Sequence, residues 1–396
     1  MNNPKLAMIP SGYNAADAKL YSILPSDGSG DFTVSVDADA TRVNKDGLIK
    51  GVALNQARLT YDPLNPECPS LLLEPTVTNN FTYSQDYSQS VWFKSNSTIT
   101  SFVSISPNGE LNASLLTSTG FNGGLFRFAS WTTTQRTISF FVKKDNSETV
   151  QIYNASASTN NVVFNLDTGV VISEGGSMTG IIKSYSNNWY RISATHTAAG
   201  SQTFGIKPEI LKSVYVWGGQ MEDNSFETSY IPTTAIATSR TNDVCGNAGN
   251  ATLFGGLEGA MFVDIKKAFK DSNFGRISIS DGSTNNRVVI GKQSSNTQFR
   301  LFVAHTSGTV NAEKYTNVDY DVQNKFAISW KLNDFKFYKN GVLIHSDTLG
   351  AVPIGLSKFA FNENNLGSQD FFGEINEVRY YDKVLTEAEA IKLTTI

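Results

Sequence analysis

The side chains best suited by type to catalysis lie in one short stretch, Glu374-Ile375-Asn376-Glu377. A pair of carboxylates cleaves a glycosidic bond when one donates a proton and the other serves as base or nucleophile. On a β-strand the two must share a face, which only the even steps i, i+2 and i+4 allow. The step from Glu374 to Glu377 is odd, and the middle position holds Asn376. A bulge at Asn376–Glu377 would return both glutamates to one face but would not supply the missing carboxylate, so no catalytic residue is expected and the chain reads as a non-enzyme. A Gly-x-Ser-x-Gly elbow, a phosphate loop and a paired-histidine motif are all absent from the sequence. Cys68 and Cys245 read as two separate thiols, and with His196, His305 and His345 in unrelated segments they define no metal site. Asp319-x-Asp321 supplies few of the six or more oxygens that calcium needs and reads as a solvated loop. No cofactor is implied.

Aromatic rings offer a different chemistry, because a flat ring can stack on a pyranose face. Trp92, Trp131, Trp189 and Trp217 are the candidates by type. Trp217 closes the apolar run Val214–Trp217 and reads as core. Trp131 lies among Ser and Thr residues, and Trp189 is followed by the amphipathic Tyr190, although core packing competes for Trp189. The expected glycan-binding set is therefore Trp131, Trp189 and Tyr190.

The elements that must hold these residues follow from composition. Charged residues make up 17% of the chain, below the ~25% usual in globular proteins. Gly, Ser, Thr, Asn and aromatic residues are abundant, which suits many short strands joined by polar turns. A net charge of −4 without a basic run argues against nucleic acid as a partner. No window is apolar enough to span a membrane, and the N-terminal stretch lacks a basic-then-apolar leader, so a chain made in a cytosol is expected.

Four segments are expected. Residues 1–75 combine a polar lead-in, the short strands Phe32–Val36 and Leu48–Leu54 around the Lys45-Asp46-Gly47 turn, and the apolar Leu71-Leu72-Leu73; they read as an attachment or oligomerisation arm with unpaired strand edges. Residues 76–235 carry the strand-like runs of a first sandwich. Residues 236–245, rich in small and hydroxyl side chains, read as an extended linker. Residues 246–396 form a second sandwich with its own core, where Asn340-Gly341 is a strong two-residue hairpin signal.

Three resemblances rest on these residues. The closing element Phe371–Ile396, with a strand, the Asp382-Lys383 turn and the capping box Thr386…Glu389, is similar to the last element of laminin-G/concanavalin-A-like domains. The hairpin Asp334-Phe335-Lys336-Phe337-Tyr338-Lys339-Asn340-Gly341-Val342 resembles theirs too. Their glucanase members carry an E-x-D-x-E strand, which Asn376 interrupts here. The strand spacing of residues 76–235 resembles carbohydrate-binding-module jelly rolls. The third resemblance follows a fixed order. It runs through Asp39-Ala40-Thr41-Arg42-Val43-Asn44-Lys45-Asp46-Gly47-Leu48-Ile49, Pro69–Pro75, Thr82–Tyr87 with Trp92, Asn188-Trp189-Tyr190-Arg191, Val216–Glu222 and Thr228-Ser229-Tyr230-Ile231-Pro232-Thr233. In this it resembles a family of tailed-phage virion proteins common in Bacteroidetes phages.

Together these imply an all-β chain of two tandem jelly-roll β-sandwiches preceded by an N-terminal attachment segment. The implied role is a head or tail fibre or decoration protein, made in the bacterial host cytoplasm and displayed on the virion surface. Its implied partners are other capsid or tail proteins, further copies of itself as a homo-oligomer, and host-surface glycans, with neither nucleic acid nor membrane. A dedicated receptor-binding tail protein is the alternative, and an accessory module of a carbohydrate-active enzyme the weaker one.

Overall fold

Alternating apolar residues and frequent Asn, Asp and Gly turns fold this chain into antiparallel sheets. The computed structural model describes residues 3–131, 135–197, 200–271, 273–295, 297–364 and 368–396. The protein is all-β, built around two β-sandwiches.

In the first sandwich, two six-stranded sheets face each other. One orders Phe93–Ser95, Gly124–Trp131, Gly200–Pro208, Thr149–Asn154, Asn161–Asn165 and Val170–Glu174. The other orders Ser97–Ile105, Leu111–Ser118, Ser213–Glu222, Arg136–Lys144, Trp189–His196 and Met178–Tyr185. Leu125, Ile138, Phe140, Ile152, Phe164, Ile192, Phe204 and Val216 fill the space between them. The outer face of the second sheet is covered as well. There Phe141, Trp189 and Trp217 pack against Ile49, from the N-terminal segment, and Tyr230, from the loop after Ser213–Glu222.

The second sandwich pairs a five-stranded sheet with a larger one centred on Gly259–Ala268 and the closing strand Gly373–Tyr381. Asn340 and Gly341 both take positive φ (48° and 79°), the backbone of a type I′ turn, between Asp334–Lys339 and Val342–Asp347. The expected bulge is present: Asp264 pairs with Glu377 and Ile265 with Ile375, so Asn376 is the extra residue. Ile375, Val378 and Tyr380 point into the core. The Thr386/Glu389 capping box starts the helix Glu387–Thr394, which docks beside Phe262, Ala327 and Tyr381.

Two expectations about segment boundaries need correction. Residues 1–75 leave no free arm among the described residues, because the closing strand of the second sandwich takes them as partners. Gly373–Ile375 pairs with Leu71–Leu73, and Val378–Tyr380 pairs with Leu6–Met8. Leu6, Met8, Leu20, Phe32, Leu59 and Leu71 share one core with residues of the second sandwich. A few apolar residues suffice here because they complete an existing core instead of building one. Their strand edges are covered too: Phe32–Ser35 pairs with Lys19–Leu20 and Val244–Gly246, and Thr41–Val43 with Ile49–Gly51. It follows that residues 246–396 do not hold a complete sheet by themselves.

The second correction concerns residues 236–245. This stretch is extended, but Thr238–Arg240 pairs with Val77–Asn79 and the segment is tied into the interior by charge. Arg240 and Asp243 are buried together with Arg58 and Glu74. Arg58 donates to Glu74 at 2.5 Å and ion-pairs with Asp243, while Arg240 reaches Glu74 at 2.8 Å. The Ser229 hydroxyl and amide donate to the Glu74 carboxylate at 2.6 and 2.7 Å, and the Glu74 amide donates to Asp243 at 2.7 Å. Burial opposes ionisation of Glu74, yet Arg240, Arg58 and Ser229 outweigh it and hold the carboxyl well below the usual range.

Removing one member of this quartet leaves buried charge unpaired, so Glu74→Gln should lower unfolding stability by about 3–5 kcal/mol in urea titrations. The depressed Glu74 carboxyl also sets a sign. Its stabilisation is full above about pH 4.5, the unfolded value, and drains away as pH falls, because the unfolded chain takes up the proton first. Between about pH 4.5 and 3 the wild type should therefore lose stability more steeply than Glu74→Gln; parallel curves would contradict this assignment.

Candidate functional site

Trp189 is not a platform. Its side chain is 1% exposed, its Nε1 donates to the Ile105 carbonyl at 3.2 Å, and its ring shares the covered cluster with Phe141 and Trp217. The correction has a simple cause: the face on which Trp189 stands is the one the N-terminal hairpin covers. Tyr190 points the other way and is half-buried over the turn at Gly169, where a Cβ would lie 2.9 Å from its ring. The Trp131 side chain lies outside the described residues. Trp92, Trp217 and Trp330 are buried, so none of them offers a ring to solvent. The structure sets Trp189 and Tyr190 on opposite faces of their strand.

Sequence reading missed a row of rings on the other outer face. Strand pairing sets Phe93 opposite Phe126, Phe126 opposite Gly205, Gly205 opposite Tyr153, and Tyr153 opposite Asn161. Directly paired residues share a face. Leu125, Ile206, Ile152 and Val162 beside them point into the core, so this row points outward. Phe93 and Phe128 are each 64% exposed, whereas Phe126 is shielded by its neighbours. The Phe126 and Tyr153 rings meet edge to face with centroids 6.3 Å apart, across Gly205. A Cβ on Gly205 would come within 2.6 Å of the Phe126 ring and 2.1 Å of the Leu125 carbonyl, so glycine is what keeps the floor of the row low.

Polar groups flank the rings. Lys207 sits with its Nζ 3.9 Å from the centre of the Tyr153 ring and donates to Asn122 at 2.9 Å. Burial lowers its pKa. Gln151 and Thr203 lie one register step away on the same face. Rings presenting their faces or edges beside amide, hydroxyl and ammonium groups suit a ligand that is apolar on one side and hydroxylated around its rim. The sequence signal was weak because the aromatics sit on three strands that only the register aligns.

The carboxylates of the closing strand are committed to cations. Glu374 lies 3.0 Å from Lys266 and 3.4 Å from Lys267. Burial opposes its ionisation, but Lys267 and Lys266 keep its pKa below the ordinary value. Glu377 pairs with Arg379, and Asn376 accepts from Ser70 at 2.9 Å and donates to Asp264 at 3.2 Å. Asp321 pairs with Lys270, while Asp319 accepts from the Asp321 amide at 2.9 Å. No group of three or more His, Cys, Asp or Glu among the described residues could hold a metal ion. Cys68 is exposed and Cys245 buried, both as free thiols.

Residues 266–390 match the concanavalin A-like lectin/glucanases superfamily, in agreement with the expectation from the closing element and the Asn340-Gly341 hairpin. A β-glucanase of Bacillus amyloliquefaciens is 31% identical over 93 residues, which are 22% of this chain and 37% of the relative. The chain thus matches little more than a third of that enzyme's length. Among solved structures, the Ruminococcus gnavus IT-sialidase CBM40 bound to α2,3-sialyllactose is similar at 17% identity and a TM-score of 0.32, over 38% of this chain and 93% of that one. Domain 4 of the arabinanase AbnA from Geobacillus stearothermophilus, in complex with arabinotriose, gives 18% identity and a TM-score of 0.33, over 44% and 84%.

The two kinds of aromatic position separate cleanly in stability. Trp189→Ala should cost about 3–5 kcal/mol, as for other buried aromatic truncations. Phe128→Ala should stay within about 0.5 kcal/mol of the wild type in the same urea titration.

Proposed function

We propose that this chain is a non-catalytic glycan-binding protein of a virion surface, and that the row Phe93–Phe126–Tyr153 with Phe128 is where the glycan lies. The single observation that carries the binding reading is that one outer face of the first sandwich is covered by the chain itself while the other leaves aromatic rings open to solvent above a glycine floor. The virion part of the reading is supported by the ordered motifs between Asp39 and Thr233. It implies other capsid or tail proteins and further copies of this chain as partners. Since residues 1–75 are folded onto the second sandwich, attachment would use the outer surface of that segment, not a free arm.

The partial match to a β-glucanase raises hydrolysis as a second reading. The ion pairs of Glu374 and Glu377 weigh against it, because a carboxylate held ionised by two lysines is a poor proton donor.

Binding of the full chain to a panel of bacterial surface polysaccharides tests the main reading. The double variant Phe93→Ala/Phe128→Ala should weaken binding about tenfold while melting like the wild type. Unchanged binding in that variant would remove the aromatic row from consideration. Release of reducing sugar from a β-glucan by the wild type, lost in Glu374→Gln, would favour the enzymatic reading. Antibodies against the chain should decorate intact particles in electron micrographs.

A further inference from the structure

A cleft of about 470 Å³ opens where the N-terminal segment meets both sandwiches, on the covered side of the first one and away from the aromatic row. Its walls come from three distant parts of the chain: the hairpin from Thr41 and the segment Thr60–Leu64, the strand end Lys183–Tyr185 with the loop Glu227–Tyr230, and Lys266, Lys267 and Glu374 of the second sandwich. The volume falls in the range of small-molecule sites and far exceeds that of an inorganic anion.

The charges lining it do not balance. Glu74 is satisfied inside the buried quartet. Beyond it, the lining cations Arg42, Lys183, Arg191, Lys266 and Lys267 outnumber the lining carboxylates Asp62, Glu227 and Glu374, although Arg191 also faces the buried Glu222 behind the wall. Each of these carboxylates is already occupied. Glu227 pairs with Lys183 and accepts from Ser193 at 3.1 Å. Burial opposes its ionisation, but Lys183 and Arg191 bring its pKa down to about 2. Glu374 is shared between two lysines, and Asp62 caps the amides of Leu64 and Asn65 at 2.8 and 3.2 Å. The Arg42 guanidinium has only the Leu59 carbonyl, at 2.8 Å, as its hydrogen-bond partner among the described residues. Positive charge is therefore left over in a partly enclosed space, where it is screened less than on an open surface. Tyr185 adds a hydroxyl without a hydrogen bond to any described residue, on a ring set edge-on to Phe141 at 5.1 Å. Thr60, Tyr61 and Ser184 contribute further hydroxyls.

We propose that this cleft is a second binding site, specific for an acidic saccharide whose carboxylate or sulfate settles among Lys183, Lys266 and Lys267 while its ring hydroxyls meet Tyr185 and its neighbours. The site is separate from the aromatic row, so the two stand or fall independently.

Titration calorimetry on the full chain distinguishes the outcomes, with an oligogalacturonate, a sulfated oligosaccharide, a neutral oligosaccharide of equal length and sodium sulfate as probes. At least one acidic saccharide should bind, and more weakly as salt rises, while the neutral one gives no binding that the cleft variants alter. Lys266→Gln, which leaves Lys267 to Glu374, should weaken acidic binding about fivefold to tenfold. Glu374→Gln removes the competing carboxylate and should strengthen it several-fold. Opposite responses at two residues in contact cannot both arise from damaged folding. The proposal fails if neither acidic saccharide binds, if the neutral probe is bound equally at the cleft, if sodium sulfate alone binds as tightly, or if both variants shift affinity in the same direction.

Discussion

The buried quartet of Arg58, Glu74, Arg240 and Asp243 is the constraint on which the arrangement of this chain depends. It gathers the segment before the first sandwich, the loop that ends it and the stretch leading into the second one. Four desolvated charges tolerate little displacement, because each lost contact exposes a full charge to a low-dielectric surrounding. The hydrogen bonds from Ser229 and from the Glu74 amide fix the geometry further. The two sandwiches are thereby locked to a shared hub, and the wall of the cationic cleft is set by the same contacts that set the hub.

That hub also explains why the two outer faces of the first sandwich differ. Holding residues 41–74 in place lays the hairpin across Phe141, Trp189 and Trp217, which makes those rings structural. Nothing among the described residues does the same on the opposite sheet. A single asymmetry of chain routing thus divides aromatic residues of similar chemistry into core and surface.

Much of the fold was legible because its signals are local. The Asn340-Gly341 turn, the Thr386/Glu389 cap and the Asn376 bulge each follow from a few adjacent residues. What escaped has no local signature. Ser97–Ile105 and Thr309–Asn317 are edge strands with few or no buried residues, so their apolar residues do not alternate. Leu6-Ala7-Met8 is too short to show a period, and its partner lies at Val378–Tyr380. Arg240 and Asp243 looked like linker residues because a charged side chain signals solvent unless its counter-charges are known, and those counter-charges sit at positions 58 and 74. The binding face was hidden in the same way: Trp189 is the conspicuous aromatic by type, whereas Phe93, Phe126 and Tyr153 become a surface only through register.

The pairing of Leu6–Met8 with Val378–Tyr380 also has a bearing on biosynthesis. At ribosomal speeds of 5–20 residues per second, roughly 20 to 75 s separate the emergence of the two strands. Throughout that interval Leu6–Met8 lacks its ladder partner and Leu71–Leu73 has only Leu59–Thr60 beside it, while the first sandwich is able to close from residues already made. The nascent chain thus carries a folded first sandwich behind partly paired apolar strands, and the second sandwich closes only once Gly373–Tyr381 has emerged. Contacts of such sequence separation slow folding and lengthen the exposure of apolar strand edges.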